Sequence, residues 1–214
     1  MKFAGNFEEW ERKAYGWGLV AHEWDKDIKS PAHFVNFEDG YKKFESFEAK
    51  VLKNIGLQEA GIDIGCGTAA SSLKLAKHVK KLYLLDISNK MLQIAKRKYP
   101  KAKILYASGT NIPLDGESVD IVTNRGILIS LLAHKKEINA LLNEIYRILK
   151  PNGVLILDFL SNKKSVKFKK KESYKKSFTR SEMSRLLKAR KFHKIMFDGT
   201  EGARVVRVCA LKSE

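Results

Sequence analysis

The chain has 214 residues, enough for one large domain or one domain with a small appendage. Because 44% of the residues are hydrophobic and 30% are charged, the chain can bury a core and is not disordered overall. Two cysteines exclude a disulfide scaffold and a cysteine-built zinc cluster, and no apolar run reaches the roughly 18 residues of a membrane span. The first residues lack a basic-then-apolar signal pattern, so we expect a cytoplasmic protein without a membrane partner.

Aromatic residues are concentrated at the start of the chain. Eleven of the 21 Phe, Trp and Tyr residues, including all three tryptophans, fall in the first 47 positions. Apolar residues from Phe44 to Ile55 follow helical spacing, and Gly56 is a plausible helix stop. We therefore expect residues 1–55 to form an aromatic, helical N-terminal cap.

Strand-like and helical patterns then alternate along the chain. Short apolar runs typical of buried strands lie at 62–64, 82–85, 104–106, 119–122 and 154–157. Helical spacing predicts helices at 71–79, after 88 and at 138–149, with Leu73, Leu75 and Ala76 of the first helix facing inward. This alternation predicts a parallel sheet with helices on both faces.

The last segment departs from that alternation. A short helix is expected at 181–190, which either Thr179 or Ser181 could cap. Strand-like runs at 192–197 and 203–211 are joined by a short link that contains Gly199 and Gly202. Such a link favours an antiparallel hairpin.

Positive charge is concentrated near the end of the chain. The net charge is +17, and residues 159–214 hold 17 Lys or Arg against 5 Asp or Glu. The most basic stretch, 163–176, could attract RNA, another polyanion or an anionic substrate. A solvated lysine-rich loop has the same composition and is the alternative interpretation.

A glycine-rich turn follows the first predicted strand. Gly65 and Gly67, with Ala70 three residues later, satisfy a dinucleotide-binding pattern, and Asp86 ends the next strand at a spacing suited to ribose hydroxyls. Glycines permit positive φ and let a ligand approach the main chain closely. The pattern alone allows NAD, another nucleotide cofactor or a purely structural turn.

The wider set of motifs resembles the class I S-adenosylmethionine-dependent methyltransferases, in particular type 11-like domains. The resemblance rests on the segments 62–71, 85–88, 111–114, 118–122, 149–155 and 178–187 in this order, and it covers residues 56–214. It implies a three-layer α/β/α sandwich with a Rossmann-like, mostly parallel seven-stranded sheet and a C-terminal antiparallel hairpin. That hairpin argues against a nicotinamide-dependent oxidoreductase.

The resemblance also implies a cofactor, S-adenosylmethionine, whose product is S-adenosylhomocysteine, and a role for individual residues. Gly65, Cys66 and Gly67 would face the methionine part of the cofactor, and Asp63 would be the acidic neighbour of its amino group. Asp86 would accept hydrogen bonds from the ribose, since a vicinal diol offers two donors. The remaining predicted contacts are Ile87 against the adenine, Ser108, Gly109 and Thr110 at its border, and Asn124 at the methionine end.

Three positions depart from the family pattern. Ala69 stands where the family usually has a third glycine, and Ser108 stands where many members have an aspartate for the adenine amino group. Asn124 is followed by Arg125 and Gly126 rather than by the Pro-Pro-aromatic sequence of amide- and base-amine methyltransferases.

Methyl transfer from a sulfonium is an in-line displacement that needs alignment more than a catalytic triad, so no catalytic residue is assigned. A general base is needed only if the acceptor loses a proton, and His22, His33 and His134 are candidates. Arg125 would either clamp an anionic group of the substrate or pair with a structural acid.

The N-terminal aromatics supply the remaining candidates for contact with ligands. Tyr15, Trp17 and Trp24 either form a lid over the cofactor or pack the cap onto the sheet. Tyr15 is the predicted cofactor contact among them, and Trp17 and His22 are predicted substrate contacts. No cluster has metal-ligand spacing.

We conclude from the sequence that the chain is a methyltransferase with an unidentified acceptor. An enclosed aromatic cap slightly favours a small molecule over RNA, since no recognisable RNA-binding module is appended. The alternative is a non-catalytic cofactor-binding or nucleic-acid-binding module on the same fold.

Overall fold

A computed structural model describes residues 37–125, 128–132, 135–162, 166–167, 176–200 and 202–214. The helices in these residues are α1 (Phe37–Ile55), α2 (Leu73–Lys77), α3 (Asn89–Lys98), α4 (Leu128–Leu131), α5 (Lys135–Ile148) and α6 (Arg180–Lys188). The strands are β1 (Gln58–Ile64), β2 (Val79–Asp86), β3 (Lys103–Tyr106), β4 (Val119–Asn124), β5 (Leu149–Leu160), β6 (Val166–Lys167), β7 (Lys176–Ser177), β8 (Phe192–Asp198) and β9 (Val205–Lys212).

Seven of these strands form one sheet in the order β3-β2-β1-β4-β5-β9-β8. The first five are parallel to one another, whereas β9 runs antiparallel to both β5 and β8. The predicted mostly parallel seven-stranded sheet with an antiparallel C-terminal hairpin is therefore confirmed. The strand order reverses direction between β1 and β4, which is where open α/β sheets bind ligands beyond the carboxyl ends of their strands.

Alternating side chains of the central strands build two cores, one on each face of the sheet. On β2, Tyr83 and Leu85 join the core shared with α5, whereas Leu82 and Leu84 join the core on the opposite face. A strand turns successive side chains to opposite faces, so a sheet covered on both faces needs apolar residues at nearly every position. The predicted α/β/α layering follows from this pattern.

The helix α1 packs into the second of these cores. Its buried residues Phe44, Phe47, Val51 and Leu52 share that core with residues of the sheet and with Leu75 of α2. The predicted helical stretch before Gly56 is thus one component of a helix layer on the sheet. Gly56 has a φ of 67°, and its amide donates to Leu52 O, which ends the helix as predicted.

The structure changes some boundaries and one inward-facing residue. The helix after the glycine turn is short, Leu73–Lys77, and Leu73 is 48% exposed, so its predicted inward orientation is wrong. Only Leu75 of that helix is fully buried, because one short turn presents a single position to the sheet. Strand β5 is longer than predicted, since it begins at Leu149 rather than at residue 154. Its register with β4 shifts between Val119 and Ile121.

Candidate functional site

The glycine turn after β1 is anchored to the end of β2. Gly65 and Gly67 have φ values of 71° and 55°, and the amides of Gly65 and Cys66 both donate to Leu85 O, at 2.8 and 3.0 Å. These positive φ angles are the conformations that the two glycines were expected to supply. The turn therefore presents its main chain at the carboxyl edge of the sheet.

Ala69 also adopts a left-handed conformation, with a φ of 56°, and it is completely buried. A residue with a Cβ pays about 1 kcal/mol for this conformation. The positive φ gives a physical reason for the glycine that the family usually has here. In this chain an alanine adopts that conformation, and it is packed into the core of the helix layer.

Asp86 joins two loops at this edge. One carboxylate oxygen accepts from the amide of Gly67 in the glycine turn, and the other accepts from the amide of Ser88 before α3, each at 2.8 Å. Burial raises the pKa of Asp86 above its ordinary value, although the hydrogen bonds from Ser88 and Gly67 act in the opposite direction. Ile87, between these loops, is partly exposed.

The loop after β3 lies beside Asp86. The amide of Ala107 donates to Asp86 O at 3.1 Å, and the hydroxyls of Ser108 and Thr110 are hydrogen-bonded to each other at 2.8 Å. Between them Gly109 is packed so tightly that a Cβ there would lie 2.9 Å from Ile64 Cγ2. The predicted adenine-border residues are thus adjacent to the predicted ribose residue.

Helix α5 holds the continuation of this loop through a Glu–Arg pair. Glu144 accepts from the amide of Ile112 at 2.7 Å, and the Arg147 guanidinium donates to the carbonyls of Ile112 and Leu114. Arg147 also pairs with Glu144 at 2.8 Å. Its cation helps to hold the pKa of Glu144 below the usual value against the effect of burial.

Asp63 lies one strand away, buried at the end of β1. Only 3% of the residue is exposed, and its carboxylate accepts from Ser72 Oγ at 2.5 Å. Burial raises its pKa to about 6, while the Ser72 hydrogen bond and the Arg125 cation work against that rise. Asp63 is therefore a buried acid whose carboxyl is hydrogen-bonded to Ser72.

Asn124 and Arg125 follow on β4 and directly after it. Asn124 is completely buried; its amide nitrogen donates to Ile64 O at 2.9 Å, and its Oδ1 has no hydrogen-bond partner among the described residues. Arg125 is also buried, with its guanidinium carbon 5.0 Å from the ring centre of Phe44 on α1. Its positive charge acts to lower the pKa of the Asp63 carboxyl and the pKa of the Glu48 carboxyl.

Glu48 is not among the site residues that the sequence predicts. This residue of α1 is 1% exposed, and its Oε2 has no hydrogen-bond partner within the described part of the chain. Burial raises its pKa to about 8, with a further contribution from Asp63, whereas Arg125 lowers it. An acid at a position otherwise suited to the apolar stripe of a helix, four residues after Phe44, was the available signal.

Cys66 is buried within the glycine turn. Burial, together with the charges of Asp86 and Asp63, raises the pKa of its thiol well above the usual value. A thiol held neutral in this way is a poor nucleophile.

Several predicted site residues lie outside the described residues. These are Tyr15, Trp17 and His22, together with Trp24, His33, His134 and nearly all of the basic stretch 163–176. Within the described ranges, no group of three or more His, Cys, Asp or Glu is placed to hold a metal ion. None of the helices in the described part of the chain is long and apolar enough to cross a membrane.

Comparison with known families agrees with this geometry. Residues 62–157, which run from β1 to β5 and include the glycine turn, Asp86 and Asn124, match the family model described as a methyltransferase domain. In this segment the chain is similar to the class I S-adenosylmethionine-dependent methyltransferases. S-adenosylmethionine is the cofactor that this similarity implies.

Individual relatives share this methyltransferase segment. The chain is 31% identical over 110 residues to the ubiquinone/menaquinone biosynthesis C-methyltransferase UbiE of Campylobacter jejuni, covering 48% of this chain and 45% of that protein. It is 38% identical over 117 residues to the demethylmenaquinone methyltransferase of Chlamydia caviae, covering 52% and 49%. The chain thus spans about half the length of these curated relatives.

A solved methyltransferase structure shares the fold along most of the chain. An S-adenosylmethionine-dependent methyltransferase from Clostridium acetobutylicum has a TM-score of 0.70 to this chain, covers 92% of it and 99% of its own length, and is 15% identical. At this identity the likeness shows the fold.

The described residues fit the cofactor of this methyltransferase family. Gly65 and Gly67 add no side chains to the turn and have positive φ, and the Asp86 carboxylate accepts from the Gly67 amide. Asn124 Oδ1 and Glu48 Oε2 are buried acceptors without partners in the described ranges. The ammonium group of an amino acid is the kind of ligand group that such acceptors bind.

Proposed function

We propose that this protein transfers a methyl group from S-adenosylmethionine to a small-molecule acceptor. The observation that carries the proposal is the Asp86 carboxylate, which joins the glycine turn to the β2–α3 loop at the carboxyl edge of the sheet. This edge lies beside the β1–β4 switch point, where open α/β sheets place their ligands.

We assign the cofactor contacts along this edge. Asp86 receives the ribose hydroxyls, and Ile87 together with Ser108, Gly109 and Thr110 borders the adenine. Asp63, Gly65, Cys66, Gly67 and Asn124 surround the methionine end. Support comes from their adjacency: the loop of Ser108 is bonded to Asp86, and Asn124 is bonded to the end of β1.

S-adenosylmethionine supplies an electrophilic methyl group on a positively charged sulfur. The chain's contribution is to align the acceptor with that methyl group, to exclude water and to fix the cofactor through the glycine turn. A general base is required only where the acceptor loses a proton. In-line displacement therefore needs no catalytic triad.

We propose that residues 1–55 form a cap over this site and that residues 56–214 form the methyltransferase domain. The support is that α1 carries both Phe44, which stacks on Arg125, and Glu48, which interacts with Asp63. The predicted contacts of Tyr15 with the cofactor, and of Trp17 and His22 with the acceptor, belong to this proposed cap. A cytoplasmic location likewise stays a prediction.

The proposed acceptor is a small molecule, which Arg125 would help to bind through an anionic or polar group. Two curated relatives support this choice, since one is named a ubiquinone/menaquinone biosynthesis C-methyltransferase and the other a demethylmenaquinone methyltransferase. RNA is the alternative acceptor, because the stretch 163–176 is strongly basic. The buried position of Arg125 favours the small molecule, since a polyanion needs accessible cations.

The cofactor assignment is tested by calorimetric titration of S-adenosylmethionine, S-adenosylhomocysteine and NAD. We expect the two sulfur nucleosides to bind the wild type and to lose at least about tenfold in affinity in Asp86→Ala, because a charge-assisted hydrogen bond is lost. Asp115→Ala, which removes an exposed carboxylate of a neighbouring loop, is the control and should bind normally. Binding of NAD alone would contradict the proposal.

The acceptor class is tested by methyl transfer and RNA binding at low and high salt. A small-molecule acceptor predicts transfer that changes little with salt. RNA binding would instead weaken by roughly 0.7 to 0.9 log units per log unit of salt for each phosphate neutralised. Steep salt dependence together with methylated RNA would replace the small molecule by RNA.

A further inference from the structure

Glu48 is a buried acid that the methyltransferase motifs do not account for. It comes from α1, outside the residues 62–157 that match the family model, and it is 1% exposed. Its Oε2 has no hydrogen-bond partner among the residues that the structure describes. A carboxyl oxygen buried without a partner is costly, so its retention calls for a ligand that satisfies it.

The position of Glu48 is defined by what surrounds it. Phe44, one helical turn earlier on α1, stacks on Arg125 at the end of β4, and the carboxyl of Glu48 interacts electrostatically with Asp63 at the end of β1. These two strands flank the switch point of the sheet. Glu48 therefore reaches the carboxyl edge from the helix layer, on the side where Asp63 lies.

The charged groups around Glu48 would allow one more cation to bind beside its carboxyl. Two acids act directly on the carboxyl of Glu48, namely Asp63 on β1 and Glu45 on α1 itself. Asp86 on β2 acts in turn on Asp63. The cations that act on Glu48 are Arg125 and Lys74 of α2, and the Tyr99 hydroxyl after α3 is neutral and is itself affected by Glu48. Two buried carboxyls, those of Glu48 and Asp63, thus share one buried guanidinium.

We propose that Glu48 is a positioning residue for the ammonium group of the cofactor's methionine end, and that it gives up a proton when that group binds. The inference rests on the proposed cofactor site and extends it to α1. Without ligand, the neutral carboxyl avoids an unpaired negative charge in the core. With the ammonium beside it, the carboxylate becomes the favoured form, and the proton leaves to solvent.

The direction of the pH dependence follows from the pKa of about 8 that burial confers on Glu48. At pH 7 Glu48 is then about nine-tenths protonated, whereas Asp63, with a pKa of about 6, is mostly ionised. Binding at pH 7 should therefore release close to one proton from Glu48. The Glu48-dependent part of the affinity should rise by up to about tenfold per pH unit below pH 8 and level off above it.

The test is calorimetric titration at pH 7 in buffers of different ionisation enthalpy, which counts the protons released. S-adenosylmethionine and S-adenosylhomocysteine both carry the ammonium, so both should release close to one proton from the wild type. In Glu48→Gln, which mimics the neutral carboxyl, binding of the same ligands should release almost no proton. Glu45→Gln removes an acid one turn away on the same helix and should release as many protons as the wild type.

A ligand comparison gives the same test without any variant. Methylthioadenosine has the adenosine and the sulfur but no amino acid part, so its binding should release no proton from Glu48. Equal proton counts for the wild type and Glu48→Gln, or for S-adenosylmethionine and methylthioadenosine, would overturn the inference while leaving the cofactor assignment intact. If neither sulfur nucleoside binds the wild type, the proposed function fails and the inference fails with it.

Discussion

Gly109 occupies a position where a side chain does not fit. An added Cβ would lie 2.9 Å from Ile64 Cγ2 and 3.0 Å from Leu141 Cδ1, both in the core shared with α5. The resemblance to methyltransferases predicts Gly109 at the border of the adenine, and the packing supplies a separate reason for glycine. The same residue can serve both purposes, since its lack of a side chain lets the loop approach the sheet.

Gly109→Ala should lower the free energy of unfolding by about 1 to 3 kcal/mol, because the methyl group overpacks the core. Gly116→Ala is the matched control in the same loop region, where the nearest atom, Arg147 O, lies at an ordinary 3.5 Å. Urea denaturation of both variants measures the difference. Equal stability of the two variants would show that the loop shifts without cost.

Thr179 caps α6, and here the structure chooses between two sequence candidates. Its Oγ1 accepts from the amide of Glu182 at 3.0 Å, and its backbone is extended as in other N-caps. Ser181 lies inside the first turn of the helix, where its hydroxyl does not perform this function. The two residues had equal standing in the sequence because both are good N-cap types.

Thr179→Ala should lower the free energy of unfolding by about 1 kcal/mol, because one amide at the helix start loses its acceptor. Ser181→Ala should change it by less than about 0.5 kcal/mol, as for most surface substitutions. Chemical denaturation of both variants checks the assignment. A larger loss in Ser181→Ala than in Thr179→Ala would move the cap to Ser181.

The contact between α5 and the loop after β3 links a helix to the proposed cofactor site. Arg147→Ala removes donors to the carbonyls of Ile112 and Leu114, so the loop that carries Ser108 and Thr110 should become less ordered. We expect S-adenosylmethionine affinity to fall about threefold to tenfold, with a loss of stability of about 1 to 2 kcal/mol.

Arg190→Ala is the control for this effect. Arg190 also bonds to α5, through Asn139 and Asn143, but it follows α6, and its other hydrogen bond goes to Leu186 O of that helix. Arg190→Ala should reduce the stability of the protein without changing its affinity for S-adenosylmethionine. Thermal melts and calorimetric titration of both variants separate the two effects, and an unchanged affinity in Arg147→Ala would contradict the proposed link.

For the whole molecule, the buried acids predict that stability falls as pH rises. Glu48 and Asp63 have pKa values raised to about 8 and about 6, so the folded state holds their protons more tightly than the unfolded chain does. The stability that Glu48 contributes is present below its unfolded pKa of 4.5 and is lost as pH rises through about 8. The stability that Asp63 contributes is likewise present below its unfolded pKa of 3.8 and is lost as pH rises through about 6.

Glu48→Gln cannot ionise, so its stability relative to the wild type should increase between pH 5 and pH 8, by on the order of 3 kcal/mol. The comparison is made by urea denaturation of the ligand-free protein at both pH values. Glu45→Gln should show no comparable increase, since Glu45 is only partly buried. A constant difference between Glu48→Gln and the wild type would show that Glu48 is ionised in the folded protein.

Much of the fold of this protein can be predicted from local patterns in its sequence. Alternating strand and helix runs predict the parallel sheet, and the hairpin link between 197 and 203 predicts the antiparallel end. The spacing of Gly65, Gly67 and Asp86 predicts a nucleotide-type site at one sheet edge. The fold predictions succeed because hydrophobic periodicity and turn chemistry act over a few residues. The similarity to the methyltransferase family, which the family model matches over residues 62–157, followed from the order of these motifs.

The tertiary structure alone decided which distant residues share the site. Glu48 lies 15 positions before Asp63 in the sequence, but the docking of α1 on the sheet makes the two carboxyls interact. The same docking places Phe44 on Arg125, and packing rather than periodicity leaves Leu73 exposed. A local pattern specifies which face of a helix is apolar, whereas its placement and the burial of an acid depend on long-range packing of the whole chain.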